Sequence, residues 1–251
     1  MTAYYNENNP FTAQWLENLI GEGLIARGEV DRRSIEEVTP NDLRGYTQHH
    51  FFAGIGGWSF ALKLAGWPDT KPVWTGSCPC QPFSHAGQQK GFQDQRHLWP
   101  VWYSLISQCK PSIIFGEQVA KSLGWFDQVS HDLESSSYAI GAADIPAIGI
   151  GARHIRHRLW FVADANQQGW ANAERIDAPQ TQANSREAVS LVHRLPTTDF
   201  QWKTEPDEDW IVDGLSGEGH VTSAYGNAIV PQVAAEFIRA YMEAVETRCS
   251  A

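Results

Sequence analysis

The chain has 251 residues, of which 42% are hydrophobic and 19% charged, and a net charge of −10; that length buries one sizeable core, so a single domain is the default. No apolar run approaches the roughly 18 residues of a membrane helix, and the polar N-terminus lacks the pattern of a signal peptide. The four cysteines, Cys78, Cys80, Cys109 and Cys249, have neither paired zinc spacing nor the density of a disulfide framework, so no metal is expected and the reducing cytoplasm is the natural compartment.

Residues 10–26 predict an amphipathic helix, with Phe11, Trp15, Leu16, Leu19 and Ile20 at helical spacing and Gly21 and Gly23 near its end. A turn-rich stretch with Asp31, Ser34 and Pro40 follows. His49 to Ile55 reads as a short apolar strand breaking into a glycine turn, and Trp58 to Ala65 as a helix. Pro72 to Thr75 predicts a strand leading directly into the loop Pro79-Cys80-Gln81-Pro82-Phe83-Ser84. Leu98 to Cys109 reads as helix, Ser112 to Phe115 as buried strand and Trp125 to Glu134 as helix. Ala139 to Ile145 and Leu159 to Ala163 read as strands. Strands alternating with helices imply an α/β fold, a mostly parallel sheet with helices on both faces. From Asn166 to about Ser190 the composition shifts to Gln, Asn, Ala and Arg, which predicts a surface or partly disordered insert. A segment rich in acids (Glu205, Asp207, Glu208, Asp209) between Trp202 and Trp210 comes next. Gly226-Asn227-Ala228-Ile229-Val230-Pro231 then opens an amphipathic helix from Gln232 to Val245.

Four features carry chemistry. In Phe51-Phe52-Ala53-Gly54-Ile55-Gly56-Gly57 the glycines lack a Cβ and let backbone approach a ligand. The helix that follows offers free N–H groups and the positive end of its dipole to an anion. Such a turn alone serves equally as a tight strand–helix connection. Cys80, held between two prolines, suits a nucleophile better than the buried structural role most lone cysteines fill. Glu117 follows a strand, where a carboxylate points into the ligand crevice of a parallel sheet, a solvated acid being the alternative. Arg156 and Arg158, at spacing two, send both guanidiniums to one side of an extended segment; otherwise they form a solvated basic edge.

Taken together with Glu117-Gln118-Val119 and Gly226-Asn227-Ala228-Ile229-Val230, these motifs resemble the cytosine-C5 DNA methyltransferase family over about residues 49–163 and 221–245. The resemblance implies a Rossmann-like class I methyltransferase fold, S-adenosyl-L-methionine as cofactor and cytosine-containing DNA as substrate. It implies that Phe52 stacks on adenine, that Ala53, Gly54, Ile55, Gly56, Gly57 and Pro79 line the cofactor, and that Asn227 and Val230 close over it. Cys80 would attack C6 of cytosine as thiolate and make C5 nucleophilic toward the methyl group. Glu117 would contact N3 and the exocyclic amine, and Arg156 and Arg158 would hold O2 and an adjacent phosphate, for which planar multi-donor groups are suited. Gln81 and Ser84 would touch the substrate. The expected organisation is a catalytic core over 1–165, a reduced target-recognition region over 166–220, and a final motif and helix over 221–251 packing back on the core.

The chain departs from the family in three places. Gln118 stands where the family has asparagine. The interval from glycine turn to cysteine lacks a βαβ stretch whose two acids hold the ribose hydroxyls and the adenine amine. Gly28-Glu29-Val30-Asp31-Arg32-Arg33-Ser34-Ile35, followed by Asp42-Leu43, reads like that unit displaced ahead of the glycine turn within residues 1–48, with Asp31 meeting the adenine amine. An N-terminal helical cap with surface acids fits the same residues. The recognition region is also short, and an acidic chain lacks the basic face by which duplex binders gain affinity, apart from a patch at His154, Arg156, His157 and Arg158. Because the target base must leave the stack, these features imply relaxed specificity, help from a protein partner or a second copy, or a single-stranded substrate. RNA, a free or modified pyrimidine nucleotide, and a catalytically idle cofactor-binding regulator are the alternatives to DNA methylation. Retention of Cys80, Glu117 and Arg158 argues against the last. Compact acidic members of this kind suit a phage or mobile element.

Overall fold

Alternation along the inner strands sends successive apolar side chains to opposite faces of one sheet, and helices cover both faces. The computed structural model describes residues 2–79, 98–119, 123–152, 156–166 and 228–249. Within them lie strands β1 (Ala3–Asn6), β2 (Gly28–Asp31), β3 (Gln48–Phe51), β4 (Val73–Gly76), β5 (Ile113–Val119), β6 (Ala139–Pro146) and β7 (His157–Asp164). Their order across the sheet is β2-β1-β3-β4-β5-β7-β6. All neighbours from β2 to β5 are parallel, whereas β7 runs against both β5 and β6. This is the Rossmann-like class I methyltransferase fold that the motifs imply.

On one face, Phe51, Trp74, Ile114 and Phe161 meet α3 (Trp99–Cys109) and α4 (Leu123–Ser135) through Trp99, Trp102, Leu105, Val129 and Leu133. On the other, Val73, Phe115, Trp160 and Val162 meet α2 (Gly57–Ala65) and α5 (Pro231–Cys249) through Trp58, Leu62, Val233 and Ile238. Each buried tryptophan removes on the order of 200 Å² from water, about 5 kcal/mol of transfer free energy. That explains where many of the chain's 11 tryptophans go.

The N-terminal segment is part of the sheet. Strand β1 pairs with the glycine-turn strand β3, Ala3 opposite Gln48, and with β2, Ala3 opposite Gly28. A Cβ on Gly28 would lie 2.1 Å from the Ala3 carbonyl oxygen, so only glycine permits this approach of β2 to β1. Between them runs α1 (Pro10–Gly21), capped by Asn9, whose side chain accepts from the Phe11 and Thr12 N–H groups, with proline at its start. Helical spacing predicts α1 as far as residue 26, but it stops at Gly21. Gly23 takes φ 67°, and the Gly23 and Leu24 N–H groups donate back to the Ile20 and Leu19 carbonyls, a Schellman termination. Strand β5 instead outruns its predicted end at Phe115, continuing through Gly116, Glu117 and Gln118. There Gly116 makes room for the Phe161 ring, 2.1 Å from where a Cβ would stand. Among the described residues no helix is long and apolar enough to cross a membrane. The expected insert over 166–220 lies almost entirely outside the described residues.

Candidate active site

After β3 the chain turns through left-handed backbone at Phe52 (φ 51°), Gly54 (53°) and Gly56 (83°). For Phe52 that conformation costs about 1 kcal/mol or more, a kind of strain that collects at ligand sites. Its ring stands edge-on to Trp102, centroids 6.0 Å apart. Gly56 caps α2 without a side-chain hydrogen bond. The last motif closes on this turn from the other side, where a Cβ on Gly57 would lie 2.7 Å from Ile229 Cγ1. Val230 follows at the start of α5.

The N-terminal strands carry two acids at their C-terminal ends, of which Glu7 reaches the turn. Asp31 ends β2, and Glu7 follows β1. The Glu7 N–H donates to the Asp31 carbonyl (3.0 Å), and the Ala53 N–H donates to the Asn6 carbonyl (3.0 Å). Glu7 Oε2 accepts the Gly54 N–H at 2.7 Å, and Oε1 accepts the Asn9 N–H at 2.9 Å. Sequence reasoning did not single out Glu7. Its signal is Tyr4-Tyr5-Asn6-Glu7, a short strand ending in an acid before a capped helix. Asp31 receives the Tyr4 hydroxyl (2.7 Å), the Arg33 N–H (3.0 Å), and Arg33 Nε (3.0 Å) and Nη2 (2.6 Å). Burial pushes the Asp31 carboxyl up, but Arg33 and Tyr4 outweigh it and hold the group below the ordinary carboxylate range. Arg33 also reaches Asp42, at 3.2 Å.

The other half of the site lies where β4 and β5 end. Trp58 Nε1 donates to Ser77 Oγ at 3.0 Å. An indole N–H only donates, so the Ser77 proton is left for Glu117, to which Ser77 also bonds. Arg158 Nε lies 2.8 Å from Glu117 Oε1, whose side chain is 8% exposed. Because β7 runs against β5, its first residues meet the last of β5, Arg158 opposite Val119. Burial pushes the Glu117 carboxyl up and prevails over Arg158, Ser77 and Arg156, which pull it down.

Arg156 corrects the expected alternation. It precedes β7 with φ 35° instead of extending the strand, and its Nη2 donates to the Ala228 carbonyl at 2.6 Å. Burial and neighbouring Arg158 push its guanidinium below the ordinary value, opposed by Glu117. Both arginines therefore act on Glu117, but not as one comb on one strand. His157 turns instead to Asp144 (3.2 Å). Gln118, at the expected asparagine position, is buried; its Nε2 donates to the Cys78 carbonyl (3.1 Å) and its Oε1 accepts the Val119 N–H (2.9 Å). Pro79 is exposed at the start of the cysteine loop. Cys80, Gln81, Ser84, His154 and Asn227 lie outside the described residues.

A family model described as C-5 cytosine-specific DNA methylase matches residues 69–213, more than half of the chain. The chain is 28% identical over 168 residues to the type II methyltransferase M.AplI of Arthrospira platensis, covering 52% of this chain and 49% of that one. It is also 28% identical over 123 residues to the type II methyltransferase M.PspPI of a Psychrobacter species, covering 34% and 30%. The chain thus spans half or less of the length of these curated relatives. Among solved structures, the Entamoeba histolytica methyltransferase EhMeth overlays with a TM-score of 0.44 at 17% identity, covering 64% of this chain and 44% of that one.

Proposed function

From the premise that this chain belongs to the C-5 cytosine-specific DNA methylase family, we propose that it methylates C5 of cytosine in DNA from S-adenosylmethionine. The observation that carries the reading is the buried Glu117–Arg158 pair at the end of β5, beside the strand that leads into the Cys80 loop. The glycine turn suits the cofactor. Its open helix N-terminus matches the methionine carboxylate, and Glu7 and Asp31, at the ends of adjacent strands, match the ribose hydroxyls and the adenine amine. Phe52 offers the adenine a ring face. In this reading the N-terminal segment is the displaced cofactor unit, and residues 166–220 contribute target recognition with a partner or second copy.

S-adenosylmethionine supplies an electrophilic methyl group. Cys80 thiolate bonds to C6, which moves electron density to C5 and N3. Glu117, whose burial favours its protonated form, donates to N3, while Arg158 and Arg156 hold the base and the neighbouring phosphate. C5 would take the methyl group with S-adenosylhomocysteine leaving, and a solvent base would accept the C5 proton. Expulsion of the Cys80 thiolate from C6 would restore the ring as N3 returns its proton to Glu117. Gln81 and Ser84 flank the substrate, and Asn227 and Val230 close the cofactor side.

The test is transfer of a labelled methyl group to duplex DNA, single-stranded DNA, RNA and deoxycytidine nucleotides, by wild type and Cys80→Ala. Label in DNA that requires Cys80 is the expected result. Label confined to RNA or nucleotides would replace the substrate, and equal labelling by Cys80→Ala would remove the covalent step. The net charge of −10 weighs against tight unassisted duplex binding and toward the RNA or nucleotide alternative.

A further inference from the structure

We propose that Arg33 competes with the adenine amine of the cofactor for the Asp31 carboxylate and passes to Asp42 when the amine binds. Arg33 is then a positioning residue that sets cofactor affinity. The inference rests on the reading above in which Asp31 receives that amine. An ionised carboxylate has about four acceptor sites, two on each oxygen. Asp31 Oδ1 accepts the Arg33 N–H and Arg33 Nε, both at 3.0 Å. Its Oδ2 accepts the Tyr4 hydroxyl at 2.7 Å and Arg33 Nη2 at 2.6 Å. The chain itself thus fills all four. Glu7 differs, for among the described residues its Oε1 accepts the Asn9 N–H and its Oε2 the Gly54 N–H, one bond each. Glu7 receives two further hydroxyls with no donor leaving, whereas Asp31 receives an amine only when one of its donors lets go.

One group among those donors can leave. The Arg33 N–H belongs to the backbone just after β2 and moves only with the chain. Tyr4 is 2% exposed, and burial together with the Asp31 charge holds its proton in place. The Arg33 guanidinium, by contrast, is 42% exposed and has a second acceptor at hand. The same Nη2 that meets Asp31 lies 3.2 Å from Asp42 Oδ1. Asp42 is held through its other oxygen, Oδ2, which accepts the Thr39 N–H at 2.8 Å and the Thr39 hydroxyl at 2.7 Å. Leaning toward Asp42 releases acceptor sites on Asp31 and leaves the guanidinium paired, so no charge is stranded. An amine donates into the released sites. A carbonyl in place of that amine has no hydrogen to give and gains nothing from the exchange.

The test is calorimetry at about pH 8, where carboxylates are ionised, with S-adenosylhomocysteine and with S-inosylhomocysteine, which carries a carbonyl in place of the amine. The proteins are wild type, Arg33→Met, Asp42→Asn, the double variant and Asp31→Ala. Arg33→Met should tighten S-adenosylhomocysteine by about 5- to 20-fold, the size of a modest coupling between two competing partners. It should leave the inosyl ligand no tighter. Asp42→Asn keeps an oxygen for Thr39 but not the charge for Arg33, and should weaken S-adenosylhomocysteine by about 2- to 5-fold, the scale of an exposed ion pair. In the Arg33→Met background the Asp42 change should matter by less than about twofold. Opposite signs at two partners of one cluster set the exchange apart from mere structural support, whose loss weakens binding at both. Unchanged or weaker binding by Arg33→Met would overturn the proposal, and so would equal tightening of both ligands. An unchanged Kd in Asp31→Ala would remove the reading of Asp31 and the proposal with it. Weakening in Asp31→Ala without a gain in Arg33→Met would sink the proposal alone.

Discussion

Asp31 and Glu117 each stand at the C-terminal end of a parallel strand in one sheet, and their side chains are similarly covered, 13% and 8% exposed. Their carboxyls nonetheless move in opposite directions. Burial pushes both up. At Asp31 a backbone N–H, a tyrosine hydroxyl and a two-pronged guanidinium overcome it. At Glu117, deeper in the sheet, one guanidinium nitrogen and one serine do not. The count of donors and the depth, more than exposure, decide the sign. Two carboxyls of one sheet are thus set apart by environment alone.

The comparison can be broken from either side. The largest effect is expected for Glu117→Gln, with kcat for methyl transfer falling about 10²- to 10³-fold, as for loss of a general acid, while calorimetry finds cofactor affinity kept. A parallel loss of cofactor binding would show the halves are not separate. Asp31→Ala should do the reverse, weakening cofactor binding by about 10-fold or more, the worth of a charge-assisted hydrogen bond. The rate of Cys80 alkylation should stay unchanged. Glu7→Ala should act in the same direction.

Gly28→Ala sharpens the same point without touching an acid. The added methyl meets the Ala3 carbonyl and should cost about 1–3 kcal/mol in urea unfolding, with cofactor affinity falling as in Asp31→Ala. Unaltered affinity would detach β2 from the cofactor site.

The smallest effect is the pH dependence of the strand between the halves. His50 bonds Thr75 Oγ1 through Nδ1 at 2.7 Å and stacks on Tyr5. Burial, with the nearby His49, pushes it from 6.5 down to about 3. Burial also lowers His49, although its bond to the Leu43 carbonyl opposes this. Below pH ~6.5 the unfolded chain binds protons that the fold refuses, so stability falls as pH drops toward 3. The slope reaches about 1.4 kcal/mol per pH unit from His50 alone. Unfolding titrations between pH 7 and 5 should show the loss, and His50→Gln should flatten it.

The family was legible because its signals lie in compact motifs. Glu117 follows a strongly apolar strand, Arg158 stands two residues after Arg156, and Cys80 sits between prolines. Direction was not legible. Nothing in Leu159 to Ala163 says that β7 runs against its neighbours, because a strand buried on both faces looks alike either way. Among the N-terminal strands, the glycine turn after β3 was legible, but β1 was not, four residues of which one is Asn6. A strand so short is recognised by its partners, β2 and β3, not by its own pattern. Glu7 was missed with it. The left-handed Arg156 was hidden for a similar reason, since spacing-two logic presumes an extended backbone that only the neighbouring chain decides.

Trp58 has a consequence of a different kind. Its indole lies one hydrogen bond from Ser77 and two from Glu117, edge-on to Trp160 at 5.5 Å and beside the glycine turn at the start of α2. Indole emission responds to the charge and polarity around its ring. Trp58 is one of 11 tryptophans, so its emission is the difference between wild type and Trp58→Phe, a dye-free reporter on the seam between the glycine turn and Glu117.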